Sequence, residues 1–134
     1  MNDSTINKLI NSAKVARMKS RAPYSNFSVG AALETSQGEI ITGCNIESSS
    51  YGLTICAERV ALVKALSQGK TDFKSITIVG PYDDYCPPCG ACRQFLYDYA
   101  PDLIVNLTDG SNVKTVGLKE LLPLAFEKTK LKQK

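Results

Sequence analysis

Two segments of this chain open on cysteine and run on as helices, with one short apolar strand between them. "CAERVALVKALSQG" starts at Cys56, carries apolar residues over about four turns at about 1.5 Å per residue, and stops at Gly69. "CGACRQFLYDYA" starts at Cys89 and is stopped by Pro101. "KSITIVG" lies between them and reads as a buried strand. Helices that cross between strands must lie on the faces of a sheet, which rules out an all-helical or all-β solution.

The flanking segments extend the same pattern. Ile6, Leu9, Ile10, Ala13 and Ala16 follow a helical spacing over 4–17, with Asp3 or Ser4 as the cap, and "RAPYSN" breaks that helix with Pro23. "FSVGAALET", the turn "SQGE" and "IITGCNIES" read as a hairpin. "LIVNLTD" is a strand, "GSN" a turn, "VKTVGL" a final strand and "KELLPLAF" a short helix. The order α–β–β–α–β–α–β–β–α predicts an α/β fold, a three-layer α-β-α sandwich with a mixed five-stranded sheet. At 134 residues one domain is long enough to bury a core without staples. The expected division is a single catalytic domain over 1–126 and a flexible basic tail over 127–134.

Charge narrows the partners. The net charge of +3 sits in the last eight residues, "EKTKLKQK", so residues 1–126 balance at 12 basic against 12 acidic. A nucleic-acid binder spreads its basic excess over the folded surface, so none is expected here. No apolar run approaches the roughly 20 residues of a membrane span, and "MNDSTINKLI" has no features of a secretory signal. Three of the five cysteines crowd into seven residues, unlike a secreted disulfide framework, and reduced thiols in a cytoplasm are expected.

The crowded stretch is "DDYCPPCGACR", with Cys86, Cys89 and Cys92 forming two overlapping C-x-x-C pairs. At the opening of a helix this spacing brings sulfurs to one point, and the positive helix end favours thiolate. The spacing alone suits a redox disulfide or a soft divalent metal such as zinc equally well. With no histidine in the chain, a third ligand must come from elsewhere, and Cys56 opens the other interior helix. If both helix starts meet at one edge of the sheet, Cys56, Cys89 and Cys92 supply three ligands and leave one position open. That is the catalytic zinc pattern, since structural zinc closes with four. Taken alone, Cys56 fits a small core residue as well.

"CAE" followed by "PCGAC" resembles the zinc-dependent nucleoside deaminases, and the whole chain resembles the homotetrameric cytidine deaminases. "YSNFSVGAAL", "GCNIE", "ICAER", "PCGACRQ" and "LLPLAF" occur in family order and span most of the chain. The resemblance implies hydrolytic deamination of cytidine and 2′-deoxycytidine in pyrimidine salvage, one Zn2+ per chain, and a homotetramer whose sites neighbouring subunits complete. It makes Cys56, Cys89 and Cys92 the ligands and sets Cys86 aside as a bystander in the approach loop.

It also implies roles for the surrounding residues. Glu58 becomes the proton shuttle, taking a proton from the attacking water, delivering it to ring N3 and helping to protonate the departing amine. That task needs a carboxyl whose pKa lies above its solution value. Three thiolates leave zinc with a formal charge of −1, and Arg59 is expected to offset that charge through a ligand sulfur. Asn45 and Glu47 lie two apart on a predicted strand and share a face, from which the resemblance has them meet the ribose. Phe27 and the Ala57 backbone N–H are expected at the nucleoside, with Tyr51 and Phe126 completing a pocket between subunits. The nearest rival is a deaminase of a related aminopyrimidine nucleoside such as a nucleoside antibiotic. A non-enzymatic thiol or zinc module is more remote.

Overall fold

In a computed structural model, residues 3–81 and 83–131 are described. They form α1 (Asp3–Arg17), β1 (Gly30–Thr35), β2 (Ile40–Cys44), α2 (Ala57–Ser67), β3 (Phe73–Val79), α3 (Gly90–Tyr99), β4 (Ile104–Thr108), β5 (Val113–Gly117) and α4 (Leu118–Leu121). The sheet order is β2-β1-β3-β4-β5. β1 pairs antiparallel with both β2 and β3, β4 with β5, and only β3 and β4 run parallel. That one parallel pair is joined by α3, as a crossover requires. The expected mixed five-stranded α/β sandwich is therefore present.

Side-chain alternation decides which helix covers which face. Leu9 and Ala13 of α1 pack with Ala32 and Val79 on one face. Ala31 and Leu33 point the other way, into a larger core with Ala57, Ala61 and Leu62 of α2, Leu96 of α3, and Ile76 and Ile78 of β3. All six residues of β1 are buried, as suits a central strand covered on both sides. Each fully buried Leu or Ile in the larger core contributes about 1.5–3 kcal/mol. Across β3, β4 and β5 on the opposite face, Asn106 donates to Thr77 and accepts from Thr115, so the polar side chains there are paired.

One close contact sets the position of α2. A Cβ added at Gly43 would lie 2.5 Å from both the Ala57 carbonyl oxygen and the Ala61 nitrogen. Only glycine lets β2 approach the first turn of α2 this closely, and that turn carries the residues after Cys56.

Local boundaries differ from expectation in four places. Asp3 and Ser4 lie inside α1 and so do not cap it. The first strand begins only at Gly30, because the Asn45 side chain holds Phe27 and Val29, and Ser25 accepts from the Phe27 N–H. β2 ends at Cys44, which leaves Asn45 and Glu47 beyond the strand, where isolated bridges join Ile46 to Arg21 and Ile55. The last helix covers Leu118–Leu121 and not all of "KELLPLAF". Pro123 disfavours helical backbone at the residue before it, and Leu124 takes a left-handed φ of 52°. Residues 132–134 of the basic tail lie outside the described residues. Before them, Glu127 accepts from the Tyr97 hydroxyl, and Lys128 lies over the Tyr99 ring.

Candidate active site

Cys56 is the residue before α2 and Cys89 the residue before α3, both in extended backbone. Neither sulfur caps the N–H groups of its own helix, so both stay available to other groups. Cys92 lies in the first turn of α3, fully buried. The two helix starts meet: Cys56 Sγ is 3.9 Å from Cys89 Sγ, and all three sulfurs lie within 4.8 Å of one another. Sulfurs at about 2.3 Å around a tetrahedral zinc stand about 3.8 Å apart. The three thiols thus fit a zinc ion with little movement.

The electrostatics of the bare cluster are those of shared protons. Hydrogen bonding from Cys92, together with Arg59 and Cys89, pulls the Cys56 thiol down to about 5 against the opposing effect of burial. The same contact with Cys56, then burial, pushes Cys92 well above the usual thiol range. One thiolate therefore forms readily and the buried thiol keeps its proton until a cation replaces it. Arg59 Nη2 donates to the Thr54 carbonyl at 3.0 Å and lies 3.8 Å from Cys56 Sγ, while its buried Nε has no protein partner.

Glu58, the second residue of α2, is 4% exposed and borders a cavity of about 360 Å³. Burial, helped by the charge of Cys56, pushes its carboxyl up to about 7. Phe27, Asn45, Glu47, Cys56, Ala57 and Cys89 share that cavity wall. The residues expected at one pocket are thus brought together, except for two. Tyr51, 76% exposed, borders an adjoining cleft with Tyr24, Ser25, Glu47 and Thr54. Phe126 is exposed at the far end of the chain, where its carbonyl accepts from Gln94.

Asn45 and Glu47 both face the cavity, although neither belongs to a strand. The Asn45 side-chain oxygen accepts from Ser20 and from the Val29 N–H, and its amide donates to the Phe27 carbonyl at 2.8 Å. One amide hydrogen is left over. Glu47 Oε1 accepts from the N–H groups of Tyr24 and Ser25, and Oε2 accepts from the Ser25 hydroxyl. That hydroxyl contact, with the two N–H groups, lowers the Glu47 pKa. Both residues thereby hold the turn that presents Phe27, with Asn26 at a φ of 58°. Ser20 and Ser25 are absent from the expected site. "YSN" before "FSVGAAL" is a turn signal, but nothing in it marks the serine as Glu47's partner.

Cys86 lies outside the three-thiol cluster but borders the same cavity, near enough to Glu58 and Cys56 for their charges to act on it.

A family model described as "Cytidine and deoxycytidylate deaminase zinc-binding region" matches residues 3–108. The chain belongs to the cytidine deaminase family. A cytidine deaminase of Halalkalibacterium halodurans is 47% identical over 88% of this chain and 91% of its own length. The crystal structure of cytidine deaminase from Burkholderia pseudomallei superposes with a TM-score of 0.87 at 46% identity, covering 94% of this chain and all of that one. Blasticidin-S deaminase of Bacillus cereus is 42% identical over 107 residues, covering 73% of this chain and 76% of that protein. The thiol cluster falls inside the matched zinc-binding region and could hold one metal ion.

Proposed function

We propose that this chain hydrolyses cytidine and 2′-deoxycytidine to uridine and 2′-deoxyuridine with release of ammonia. The observation that carries the reading is a buried carboxyl, Glu58, beside three thiols at two converging helix starts. Cys56, Cys89 and Cys92 would hold one zinc ion, which supplies a Lewis acid able to make water nucleophilic at neutral pH. Arg59 draws charge from the Cys56 sulfur, opposing the negative charge of a three-thiolate shell.

Glu58 is suited to moving protons in both directions, because burial raises its carboxyl above the usual carboxylate range, toward neutrality. As carboxylate it accepts a proton from the attacking water and passes it to ring N3. In the second half it takes the proton of the new C4 hydroxyl and passes it to the exocyclic amine, so that C4=O forms as the C4–N bond breaks and ammonia leaves. The N–H of Ala57 lies in the first turn of α2, where helical N–H groups lack partners within the helix, and it is assigned to the pyrimidine. Asn45 has one amide hydrogen left for the ribose, and Glu47, fixed by Ser25 and Tyr24, accepts from a ribose hydroxyl. Phe27 packs beside the nucleoside.

The finer reading is a homotetramer. Tyr51, Leu53, Leu124 and Phe126 are exposed apolar side chains on this chain, and Leu124 is wholly so. Burial of these groups by neighbouring copies, with Phe126 reaching another copy's base and Tyr51 its pocket, accounts for them. Pyrimidine salvage in the cytoplasm suits the free thiols. Among the described residues no helix is long and apolar enough to cross a membrane.

An absorbance assay of the zinc-loaded protein on cytidine, deoxycytidine, cytosine, adenosine and a cytosine-containing oligonucleotide tests the reading. Turnover of the two nucleosides is expected, and turnover of the oligonucleotide alone would overturn it. The similarity to blasticidin-S deaminase favours adding that aminopyrimidine antibiotic to the panel. Turnover of the antibiotic without cytidine would establish the second reading.

A further inference from the structure

Cys86 stands at the reacting end of the cavity and is neither a metal ligand nor a proton carrier. It shares the wall with Pro87, Phe27 and Glu58. Burial, then the nearby charges of Glu58 and Cys56, pushes its thiol up to about 11, so at neutral pH it is a neutral, weakly polar group. It has no room to withdraw. A Cβ added at Gly80, just past β3, would lie 2.9 Å from Cys86 Cβ, 3.4 Å from its sulfur and 3.9 Å from Phe27 Cζ. Cys86 also packs against the larger hydrophobic core. Its position is fixed by the end of a central strand.

The edge of an aminopyrimidine that faces the thiol cluster carries three groups: N3, the exocyclic amine and C5–H. The first two exchange protons during deamination and need Glu58. C5–H is the member that forms no hydrogen bond, and an apolar wall of fixed position is the complement it requires. We propose that Cys86 is a specificity-determining residue whose size limits the substituent tolerated at C5 of the pyrimidine. The inference rests on the deaminase reading above and adds to it which substrates the pocket refuses.

The test is kcat/KM for cytidine and 5-methylcytidine with the zinc-loaded full chain as wild type, Cys86→Ala, Cys86→Ser and Cys86→Val, with zinc content measured for each. The 5-methylcytidine to cytidine ratio is expected to rise about tenfold in Cys86→Ala and to fall about tenfold in Cys86→Val, the scale of one methyl group in a tight pocket. Cys86→Ser, of similar size, should keep the wild-type ratio. One ratio shared by all four proteins at full zinc content overturns the proposal, as does a serine variant that behaves like alanine. Should the variants not fold, the unaltered protein decides: kcat/KM must fall stepwise through cytidine, 5-methylcytidine and 5-iodocytidine, and a flat series overturns the proposal. A wild type inactive on all three overturns the deaminase reading itself, whereas an active wild type with a flat series removes only the role of Cys86.

Discussion

The side-chain amide of Asn45 donates to the carbonyl of Phe27 at 2.8 Å, across 18 residues of sequence. The same side chain accepts from Ser20 and from the Val29 N–H, so a single buried residue fixes the turn that carries Phe27 to the cavity. Replacing it with alanine leaves several polar groups without partners. Asn45→Ala is expected to lose about 2–4 kcal/mol of stability, read as a lower urea midpoint, together with a raised KM. Unchanged stability with a raised KM would make Asn45 a substrate contact only.

Glu58 links pH to stability in the metal-free protein. Its carboxyl is raised from 4.5 to about 7 in the folded state, so the folded chain holds this proton more tightly than the unfolded one. The stabilisation is full below pH 4.5 and is lost as pH rises through 7, a cost of about 3 kcal/mol. Glu58→Gln does not titrate there. It should match the wild type near pH 4 and exceed it by about that amount at pH 8, in urea titrations after zinc removal. A difference that does not change with pH would disprove this. In the zinc-loaded enzyme the same substitution should lower kcat by at least about 100-fold.

Gly43 transmits packing to the thiol cluster. In Gly43→Ala the new methyl group meets backbone atoms of Ala57 and Ala61, so α2 must move away from β2 and carry Cys56 with it. A loss of about 1–3 kcal/mol in stability is expected, with weaker zinc retention against a chromophoric chelator. Retention equal to wild type would show that the helix start absorbs the displacement.

Thiol reactivity should rank the cysteines of the zinc-free protein. Cys56, pulled down to about 5, is thiolate at pH 7, whereas Cys86, pushed up to about 11, is not. Brief iodoacetamide treatment followed by peptide mass spectrometry should find Cys56 labelled at least about tenfold faster than Cys86. Arg59→Gln should slow labelling of Cys56, because the guanidinium is one of the groups favouring its thiolate. Equal rates at the two positions would contradict the ordering.

The helices and strands around the site were legible because each is punctuated locally: Gly69 and Pro101 close α2 and α3, and the apolar spacing of β3 needs no partner to be seen. The meeting of Cys56 with Cys89 was legible too, since both begin helices that cross the same sheet. The C-terminal helix was overdrawn because the apolar pattern of "LLPLAF" continues through Pro123, while the backbone does not. Side-chain commitments across distant segments left no local trace. Asn45 accepts from Ser20 and Val29 and donates to Phe27, and Ser25 holds Glu47, only because bridges at Ile46 bring those segments together. The place of Cys86 beside Glu58 left no trace for the same reason, since it depends on the path of the chain after Gly80.

The three thiols differ in depth, with Cys89 exposed, Cys56 partly covered and Cys92 wholly buried. That gradient predicts one-sided metal traffic: an arriving ion is expected to meet Cys89 first and Cys92 last, and a scavenging chelator to work through the same mouth in the opposite sense. Cys56 and Cys89 also border the cavity proposed for the nucleoside. A bound substrate then acts as a stopper, and the enzyme should hold its zinc most tenaciously while it is at work.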